Sequence, residues 1–171
     1  MQEILQNCPK AHIKVAGISV LGVNGIKNRI KIPAYGKYLR RLILKNRLEG
    51  KVRVLGNLSA EEMKREYLSA QIFVCPSAVE NSPNSVAEGQ LLGVPVAASR
   101  TGGIPDVVKD GVSGLLFEKG NIHELAACVS RILADKQLAK ELSASERETA
   151  AKLYNGENNY QKLIEIYQSI E

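Results

Sequence analysis

Several features that mark specialised proteins are missing from this sequence of 171 residues. Its three cysteines, Cys8, Cys75 and Cys128, have neither C-x-x-C nor Cys/His spacing, which argues against a disulfide framework and a zinc site. No apolar run approaches the roughly 18 residues of a membrane span. The first residues, MQEILQNCPK, contain no basic segment followed by an apolar one, so they predict no secretion signal. We therefore expect a protein of the reducing cytoplasm.

A glycine fingerprint for nucleotide phosphates is also lacking. The predicted loop over residues 17–33 contains three glycines, Gly17, Gly22 and Gly25, but their spacing gives neither G-x-G-x-x-G nor a P-loop. A dinucleotide oxidoreductase is therefore poorly supported. The basic residues of the same loop have no aromatic side chain among them, which disfavours a nucleic-acid platform.

Charge is distributed unevenly along the chain. Residues 1–55 carry twelve Lys and Arg against two Glu, a balance of +10, while the remainder carries eleven against sixteen, a balance of −5. Such a basic segment is typical of proteins that bind nucleic acid, an anionic membrane surface or a phosphorylated ligand. For any single residue, a solvated surface is the simpler interpretation.

Short apolar runs alternate with helical patterns from one end of the chain to the other. The length predicts one domain, and the alternation predicts an α/β protein with a Rossmann-like, doubly wound parallel sheet. The first strand, HIKVA, is expected to be buried, with His12 in the core. Strands are predicted at residues 12–16, 52–55, 71–75, 94–98 and 114–117. Helices are predicted at residues 2–7, 35–48, 59–68, from 85, from 105, and at 122–133, 137–153 and 158–170.

The helix predicted over residues 35–48 is basic and amphipathic, and Gly50 is expected to end it. Its Lys and Arg side chains surround an apolar stripe that includes Tyr38. Such a helix can lie on an anionic membrane. Sheet-covering helices carry the same stripe, so we expect core packing and keep membrane contact as the alternative.

Residues 73–103 form the most informative stretch. A strand is followed by a polar loop that carries Glu80, and a helix opens near Ser85 with Glu88 in its first turn. Open α/β sheets bind ligands beyond the carboxyl ends of their strands. A helix start offers free N–H groups and the positive end of a dipole to a phosphate. Carboxylates for hydroxyls and amides for phosphate together predict a sugar-nucleotide site.

Each of these features also has a simpler explanation. Ser85-x-x-Glu88 is the pattern of a capping box, in which Glu88 would serve only the helix. Glu80 lies among turn-forming residues and would be a solvated loop carboxylate. Gly102 and Gly103 would let the backbone approach a ligand closely, or would form only a tight turn. These alternatives stay open at the level of the sequence.

The run PSAVENSPNSVAEGQLLGVPVAASRTGGIPDVVKDGVSGLLF closely resembles the donor-binding domain of family 4, or group 1, retaining glycosyltransferases, which have the two-domain GT-B fold. The signature is two glutamates separated by seven residues, then a G-V-P-V strand and a G-G-x-P-[DE] turn. All of these occur here in order. V-R-V-L-G-N-L-S and L-I-E-I-Y-Q-S-I are also similar to the family, so the resemblance covers most of the chain.

The resemblance implies transfer of a sugar from a nucleotide-diphosphate donor to a glycan or lipid-linked acceptor, with retention at the anomeric carbon. It implies that Glu88 binds the ribose hydroxyls. Glu80, the candidate catalytic residue, would bind a hydroxyl of the donor sugar rather than act as a nucleophile. The sugar and diphosphate would face Ser82, Asn84, Ser85, Gly102 and Gly103. The base would border Gly56, Asn57 and Leu58. No D-x-D pair occurs, so no metal and no other cofactor is expected.

The sequence departs from the family pattern in three respects. The G-R and K-G segments that bring an Arg and a Lys to the diphosphate are absent. So is the strand that occupies the middle of a sheet ordered 3-2-1-4-5-6, and without it the strands at 12–16 and 71–75 must pair directly or leave open edges. Pro83 replaces a frequent glycine and donates no N–H.

We therefore expect residues 1–171 to form a single, incomplete donor-binding domain, the C-terminal half of a GT-B enzyme. It would be inactive without a missing N-terminal acceptor domain or partner chain. The alternative is a non-catalytic nucleotide-sugar binding module or a subunit of a split glycosyltransferase; a sugar-nucleotide epimerase is less well supported. The expected partners are the nucleotide-sugar donor and, peripherally, the inner face of the membrane, without nucleic acid.

Overall fold

The computed structural model describes residues 1–17 and 34–170. Nearly all of the glycine-containing basic loop predicted over residues 17–33 lies outside this range. The chain divides into two compact units, Met1–Glu66 and Tyr67–Glu171. The prediction that the whole chain acts as one sugar-donor domain stays a prediction.

The first unit contains a short parallel sheet of two strands. Strand β1 (Ile13–Ala16) pairs with β2 (Val52–Gly56), with Ile13 opposite Val52. Helix α1 (Gln2–Asn7) precedes β1, helix α2 (Ala34–Lys45) precedes β2, and α3 (Ala60–Ser69) follows β2 and runs into the second unit. The predicted Ser59-x-x-Glu62 capping box is confirmed, because the N–H of Ser59 donates to Glu62 Oε2 at 2.8 Å. Hydrogen bonds from Ser59 hold the pKa of Glu62 below its ordinary value.

The prediction that the first strand is buried is wrong. All four residues of β1 are exposed, and so is His12, which was expected in the core. Ile13 and Val15 are 39% and 40% exposed. A strand in a two-stranded sheet has one neighbour, so its apolar side chains are not enclosed as they are in the middle of a wider sheet.

Helix α2 is shorter and more exposed than the sequence predicts. It ends at Lys45 rather than Leu48, where the side-chain amide of Asn46 donates to the carbonyl oxygen of Leu42 at 2.8 Å. The expected core packing is wrong for Tyr38, which is 55% exposed; its ring stacks on that of Tyr35 with a centroid separation of 6.3 Å. Leu39, Leu42 and Ile43 are half-buried.

The second unit is built on a three-stranded parallel sheet. Its strands are β3 (Phe73–Cys75), β4 (Val96–Ser99) and β5 (Leu115–Phe117), in the order β3-β4-β5. All four residues of the central strand β4 are buried. The helices are α4 (Asn84–Leu92), α5 (Ile104–Val107), α6 (Ile122–Ala134), α7 (Lys136–Leu153) and α8 (Gly156–Gln168). The core cluster consists of Cys75, Val86, Val96, Ala98, Ile104, Val108 and Leu116.

Strands β1 and β3 do not pair with each other. In the part of the chain that the structure describes, the two parallel sheets are separate, and β1 and β3 each have a single paired side. Of the two outcomes expected for a sheet without its central strand, direct pairing of β1 with β3 does not occur among the described residues; the open edges stay a prediction.

Helix α7 holds the turn between α4 and β4 through three polar contacts. Ser143 Oγ donates to the carbonyl oxygen of Gly93 at 2.7 Å, and Arg147 donates to that of Leu92 at 3.0 Å. The N–H of Val96 donates to the carboxyl group of Glu146 at 2.8 Å. These contacts fix the carboxyl end of α4 and the beginning of β4.

Candidate functional site

The loop between β3 and α4, residues 76–83, is tied to the carboxyl end of β4. Ser99 Oγ donates to the carbonyl oxygen of Ser77 at 2.6 Å, and Thr101 Oγ1 donates to that of Ala78 at 3.4 Å. Ser99 is buried at the end of β4. The loop therefore lies where parallel strands end, which is the edge at which open α/β sheets bind ligands.

A pair of glycines lets the next turn approach this loop closely. Gly102 has a φ of 52°, a left-handed conformation that glycine adopts readily. A Cβ atom on Gly102 would overlap the carbonyl oxygen of Glu80, and one on Gly103 would overlap that of Asn81. The two glycines thus set the path of the main chain at Glu80. Their predicted contact with a diphosphate stays a prediction.

The carboxylate of Glu80 is oriented by two hydrogen bonds from its own loop. Ser77 Oγ donates to one oxygen at 3.2 Å, and the N–H of Asn81 donates to the other at 3.2 Å. The residue is half-buried. Glu80 is therefore more constrained than a freely solvated loop carboxylate, and part of it stays accessible.

The capping-box explanation for Glu88 is wrong. Helix α4 begins at Asn84, one residue earlier than predicted, so Ser85 already lies inside the helix. The N-cap residue is Pro83, and no side chain caps the helix. The N–H of Asn84 donates to the carbonyl oxygen of Ser82 at 2.9 Å, whereas that of Ser85 has no protein acceptor among the described residues. This helix start therefore retains the N–H of Ser85 as a donor that an anion can use.

Tyr67 is hydrogen-bonded to the beginning of α4. This tyrosine of α3 is 3% exposed, and its phenol donates to the carbonyl oxygen of Ser85 at 2.9 Å. Glu88 is exposed, and the negative charge of its carboxylate acts on the same phenol. Burial, and then the charge of Glu88, raise the pKa of Tyr67. The sequence analysis did not single out this residue, although the hydroxyl group of a buried tyrosine usually has a hydrogen-bond partner.

The residues predicted to border the base belong to the first unit. Gly56 is the last residue of β2, with a φ of 76°, and Asn57 and Leu58 lead from it to the cap of α3 at Ser59. Asn57 is exposed, while Gly56 and Leu58 are half-buried. Their contact with a base stays a prediction.

The remaining functional features concern metals, cysteines and membrane spans. Over residues 1–17 and 34–170, no three His, Cys, Asp or Glu side chains are grouped as a metal ion would require. Cys8, Cys75 and Cys128 are all free thiols. None of the helices that the structure describes is both long enough and apolar enough to cross a bilayer.

Comparison with protein families identifies the chain. The sequence model of the family described as glycosyl transferases group 1 matches residues 1–149. The chain belongs to this family. The Glu80 and Glu88 segment, the G-V-P-V strand and the turn at Gly102 all lie inside the matched range of this group 1 chain.

Curated relatives of the group 1 chain are also glycosyltransferases. An uncharacterized glycosyltransferase of Methanocaldococcus jannaschii is 26% identical over 165 residues, which are 94% of this chain and 46% of that protein. A D-inositol 3-phosphate glycosyltransferase of Corynebacterium urealyticum is 32% identical over 119 residues, 70% of this chain and 28% of that protein. The chain thus spans less than half the length of these relatives.

Solved structures confirm the predicted fold class. The structure of Anabaena HepE in complex with UDP matches 99% of this chain and 45% of its own, with a TM-score of 0.81 and 21% sequence identity. The chain therefore has the mixed α/β, Rossmann-like architecture with parallel strands that occurs in GT-B glycosyltransferases, and it corresponds to part of such a protein.

Proposed function

We propose that this chain is the sugar-donor-binding half of a retaining group 1 glycosyltransferase. In the complete enzyme it would hold a nucleotide-diphosphate sugar while the sugar passes to a glycan or lipid-linked acceptor. The observation that carries the proposal is the β3–α4 segment. There an oriented Glu80, an uncapped helix start and an exposed Glu88 follow one another at the carboxyl end of the sheet.

Each group suits one part of such a ligand. A carboxylate accepts several hydrogen bonds, so Glu88 is proposed to bind the ribose hydroxyls and Glu80 a hydroxyl of the transferred sugar. The N–H of Ser85 and the dipole of α4 suit the diphosphate. The proposal includes no metal, so main-chain amides and basic side chains would stabilise the charge of the leaving diphosphate.

The relatives support the class of ligand. HepE of Anabaena has been crystallised with UDP and with UDP-glucose. The amylovoran biosynthesis glycosyltransferase of Erwinia amylovora is 29% identical over 138 residues, which supports a role in polysaccharide synthesis. Because the chain spans less than half of these proteins, we propose that it binds the sugar donor by itself and does not transfer the sugar. Turnover of a sugar nucleotide by the chain alone would contradict this part of the proposal.

We propose in addition a peripheral contact with an anionic membrane. Helix α2 carries Lys37, Arg40, Arg41 and Lys45 and no acidic residue, and the exposed Tyr35 and Tyr38 lie on its apolar side. Such a helix is attracted to acidic headgroups through charges that salt screens. Sedimentation with anionic vesicles should decrease as the salt concentration rises. Equal sedimentation with neutral vesicles would contradict the contact.

Calorimetric titration tests the proposed binding site. The ligands are UDP, GDP and ADP with their glucose conjugates, and the proteins are the wild type, Glu88→Gln and Glu80→Gln. We expect one base to be preferred, and Glu88→Gln to weaken binding at least tenfold, since a hydrogen bond to a charged group contributes about 1.5–3 kcal/mol. Glu80→Gln should weaken the binding of the sugar conjugate more than the binding of the free nucleoside diphosphate.

The melting temperature separates binding from folding in this experiment. Neither glutamate caps a helix, so both variants should melt within about 2 °C of the wild type, as surface substitutions usually do. Glu148→Gln is a matched control, because Glu148 is an exposed glutamate of α7 whose partner is Lys152. Absence of binding to every diphosphate, or wild-type binding by Glu88→Gln, would contradict the proposal.

A further inference from the structure

Ser77 lies between the ends of two paired strands and the carboxylate of Glu80. Its main-chain oxygen accepts a hydrogen bond of 2.6 Å from Ser99 Oγ at the end of β4, and Ser99 is 1% exposed. Its hydroxyl oxygen lies 3.5 Å from the sulfur of Cys75, the buried last residue of β3. Both of these neighbours belong to the sheet. The position of Ser77 is therefore set by the sheet rather than by the loop alone.

The proton of the Ser77 hydroxyl group is directed to Glu80. An ionised carboxylate has only acceptors, so the serine is the donor in the 3.2 Å contact between Ser77 Oγ and Glu80 Oε2. A serine hydroxyl group has one proton and two acceptor lone pairs. In the contact with Cys75, the free thiol is therefore the donor and the serine oxygen accepts. The three groups form a directed chain of hydrogen bonds, from the thiol through the hydroxyl group to the carboxylate.

The Glu80 carboxylate is held at both of its oxygens and still has room for a ligand. The second oxygen accepts the N–H of Asn81 at 3.2 Å, so rotation of the carboxyl group about its terminal bond would break both hydrogen bonds. The main chain of Glu80 is packed against Gly102, where a Cβ atom would overlap the Glu80 carbonyl oxygen. A carboxylate has about four acceptor sites, and the two protein donors take two of them. The remaining sites belong to a half-buried side chain and can accept a hydroxyl group of a ligand.

We propose that Ser77 is a positioning residue for the transferred sugar: its hydroxyl group holds the Glu80 carboxylate in the orientation that accepts a sugar hydroxyl. This assignment rests on the function proposed above, in which Glu80 binds that hydroxyl. Loss of the Ser77 hydroxyl group should therefore weaken the binding of a sugar nucleotide and leave the binding of the free nucleoside diphosphate nearly unchanged. A serine that only stabilises the loop would affect both ligands alike.

The test is calorimetric titration with UDP-glucose and UDP, or with the corresponding GDP or ADP pair if the wild type prefers that base. Ser77→Ala removes the hydroxyl group and should weaken UDP-glucose binding by about threefold or more, the order of one net hydrogen bond. The affinity of the same variant for UDP should stay within about twofold of the wild type. Ser77→Thr keeps a hydroxyl group and should restore the wild-type ratio of the two affinities.

A double-mutant cycle shows whether Ser77 acts through Glu80. Glu80→Ala should weaken UDP-glucose binding at least as much as Ser77→Ala does. Adding Ser77→Ala to Glu80→Ala should cause no further loss, because residues that act as a unit are not additive. Ser143→Ala is the matched control. Ser143 is a half-buried serine of α7 whose hydroxyl group donates to a carbonyl oxygen in the turn that precedes β4, so its loss should leave the affinity ratio unchanged.

The outcomes separate this assignment from the proposed function. The assignment of Ser77 is overturned, and the function stands, if Glu80→Ala weakens UDP-glucose binding while Ser77→Ala leaves it unchanged. Equal weakening of both ligands by Ser77→Ala, the same loss in Ser77→Thr, or additive losses in the double variant would overturn it as well. If the wild type binds none of the ligands, or Glu80→Ala binds UDP-glucose as the wild type does, the proposed function of the site fails and the assignment fails with it.

Discussion

The carboxyl group of Glu146 is fully buried against the start of β4. One of its oxygens accepts the N–H of Val96, and the other has no partner among the described residues. Burial raises the pKa of Glu146 to about 8, so the group is neutral at pH 7 in the folded protein. The unfolded chain has an ordinary carboxyl group with a pKa of 4.5. Between these two values the folded state holds a proton that the unfolded state has released.

This difference predicts how stability depends on pH. Unfolding releases a proton between about pH 4.5 and about pH 8, so the free energy of unfolding should fall as the pH rises through that window. The slope is at most about 1.4 kcal/mol per pH unit for one proton. Glu146→Gln keeps an acceptor for the N–H of Val96 and cannot ionise. The variant should match the wild type near pH 5 and exceed it near pH 8 in urea unfolding experiments.

Glu148→Gln is the control for this experiment, since Glu148 lies on the same helix and is exposed. Its hydrogen bond with Lys152 holds the pKa of Glu148 below the ordinary value, so its small effect on the pH dependence has the opposite sign. Parallel pH profiles for the wild type and Glu146→Gln would show that Glu146 is ionised or solvated in the folded protein.

The burial of Glu146 could not be predicted from the sequence. Leu142, Glu146 and Ala150 form the buried row of α7, and a glutamate in such a row is expected to be exposed. Its carboxyl group accepts the N–H of Val96, the first residue of β4, and this partner lies 50 residues away in the chain, beyond the reach of local patterns. Tyr67 was missed for a similar reason, because the carbonyl oxygen that accepts its hydrogen bond belongs to Ser85, on another helix.

At the scale of elements, the turn after β4 is coupled to the loop that carries Glu80. Gly102→Ala should be strongly destabilising, since it adds about 1–2 kcal/mol for the left-handed backbone and about 1–3 kcal/mol for overlap with the main chain of Glu80. It should also weaken UDP-glucose binding by moving that loop. Urea unfolding and calorimetry measure the two effects.

Gly111→Ala measures the free-energy cost of a left-handed alanine without steric overlap of its Cβ atom. Gly111 has a φ of 74°, and nothing lies within 4 Å of a Cβ atom built on it. This control should lose only about 1–2 kcal/mol of stability and keep its affinity for UDP-glucose. Equal losses of stability in the two variants would mean that the turn at Gly102 is not closely packed against the loop that carries Glu80.

Most helices and strands could be predicted because their apolar spacing is local. Observed helices α6 and α7 lie within one residue of the predicted bounds. Capping was less predictable: Ser59-x-x-Glu62 forms a capping box, whereas the same pattern at Ser85 does not. At the second pattern the N-cap is Pro83 and the helix begins at Asn84, so Ser85 lies inside the helix and cannot cap it.

At the scale of the whole molecule, the alternation of elements predicted parallel strands but not their partners. Strand pairing joins segments that are far apart in the chain, such as β1 with β2, and local sequence patterns do not predict it. The exposure of β1 was not predicted for the same reason, because an apolar run does not reveal how many neighbouring strands it will have. The order of motifs was more informative: two glutamates, a buried strand and a glycine turn identified the family that residues 1–149 match.

The most direct test is a titration of the wild-type chain with UDP, followed by the backbone amide signals in NMR spectra. If the β3–α4 segment holds the diphosphate and ribose, the largest shifts should fall on residues 82–88 and 102–103. Amides of α7 and α8 should change little. Saturable binding with shifts confined to other residues, or no shifts at millimolar UDP, would contradict the proposed site.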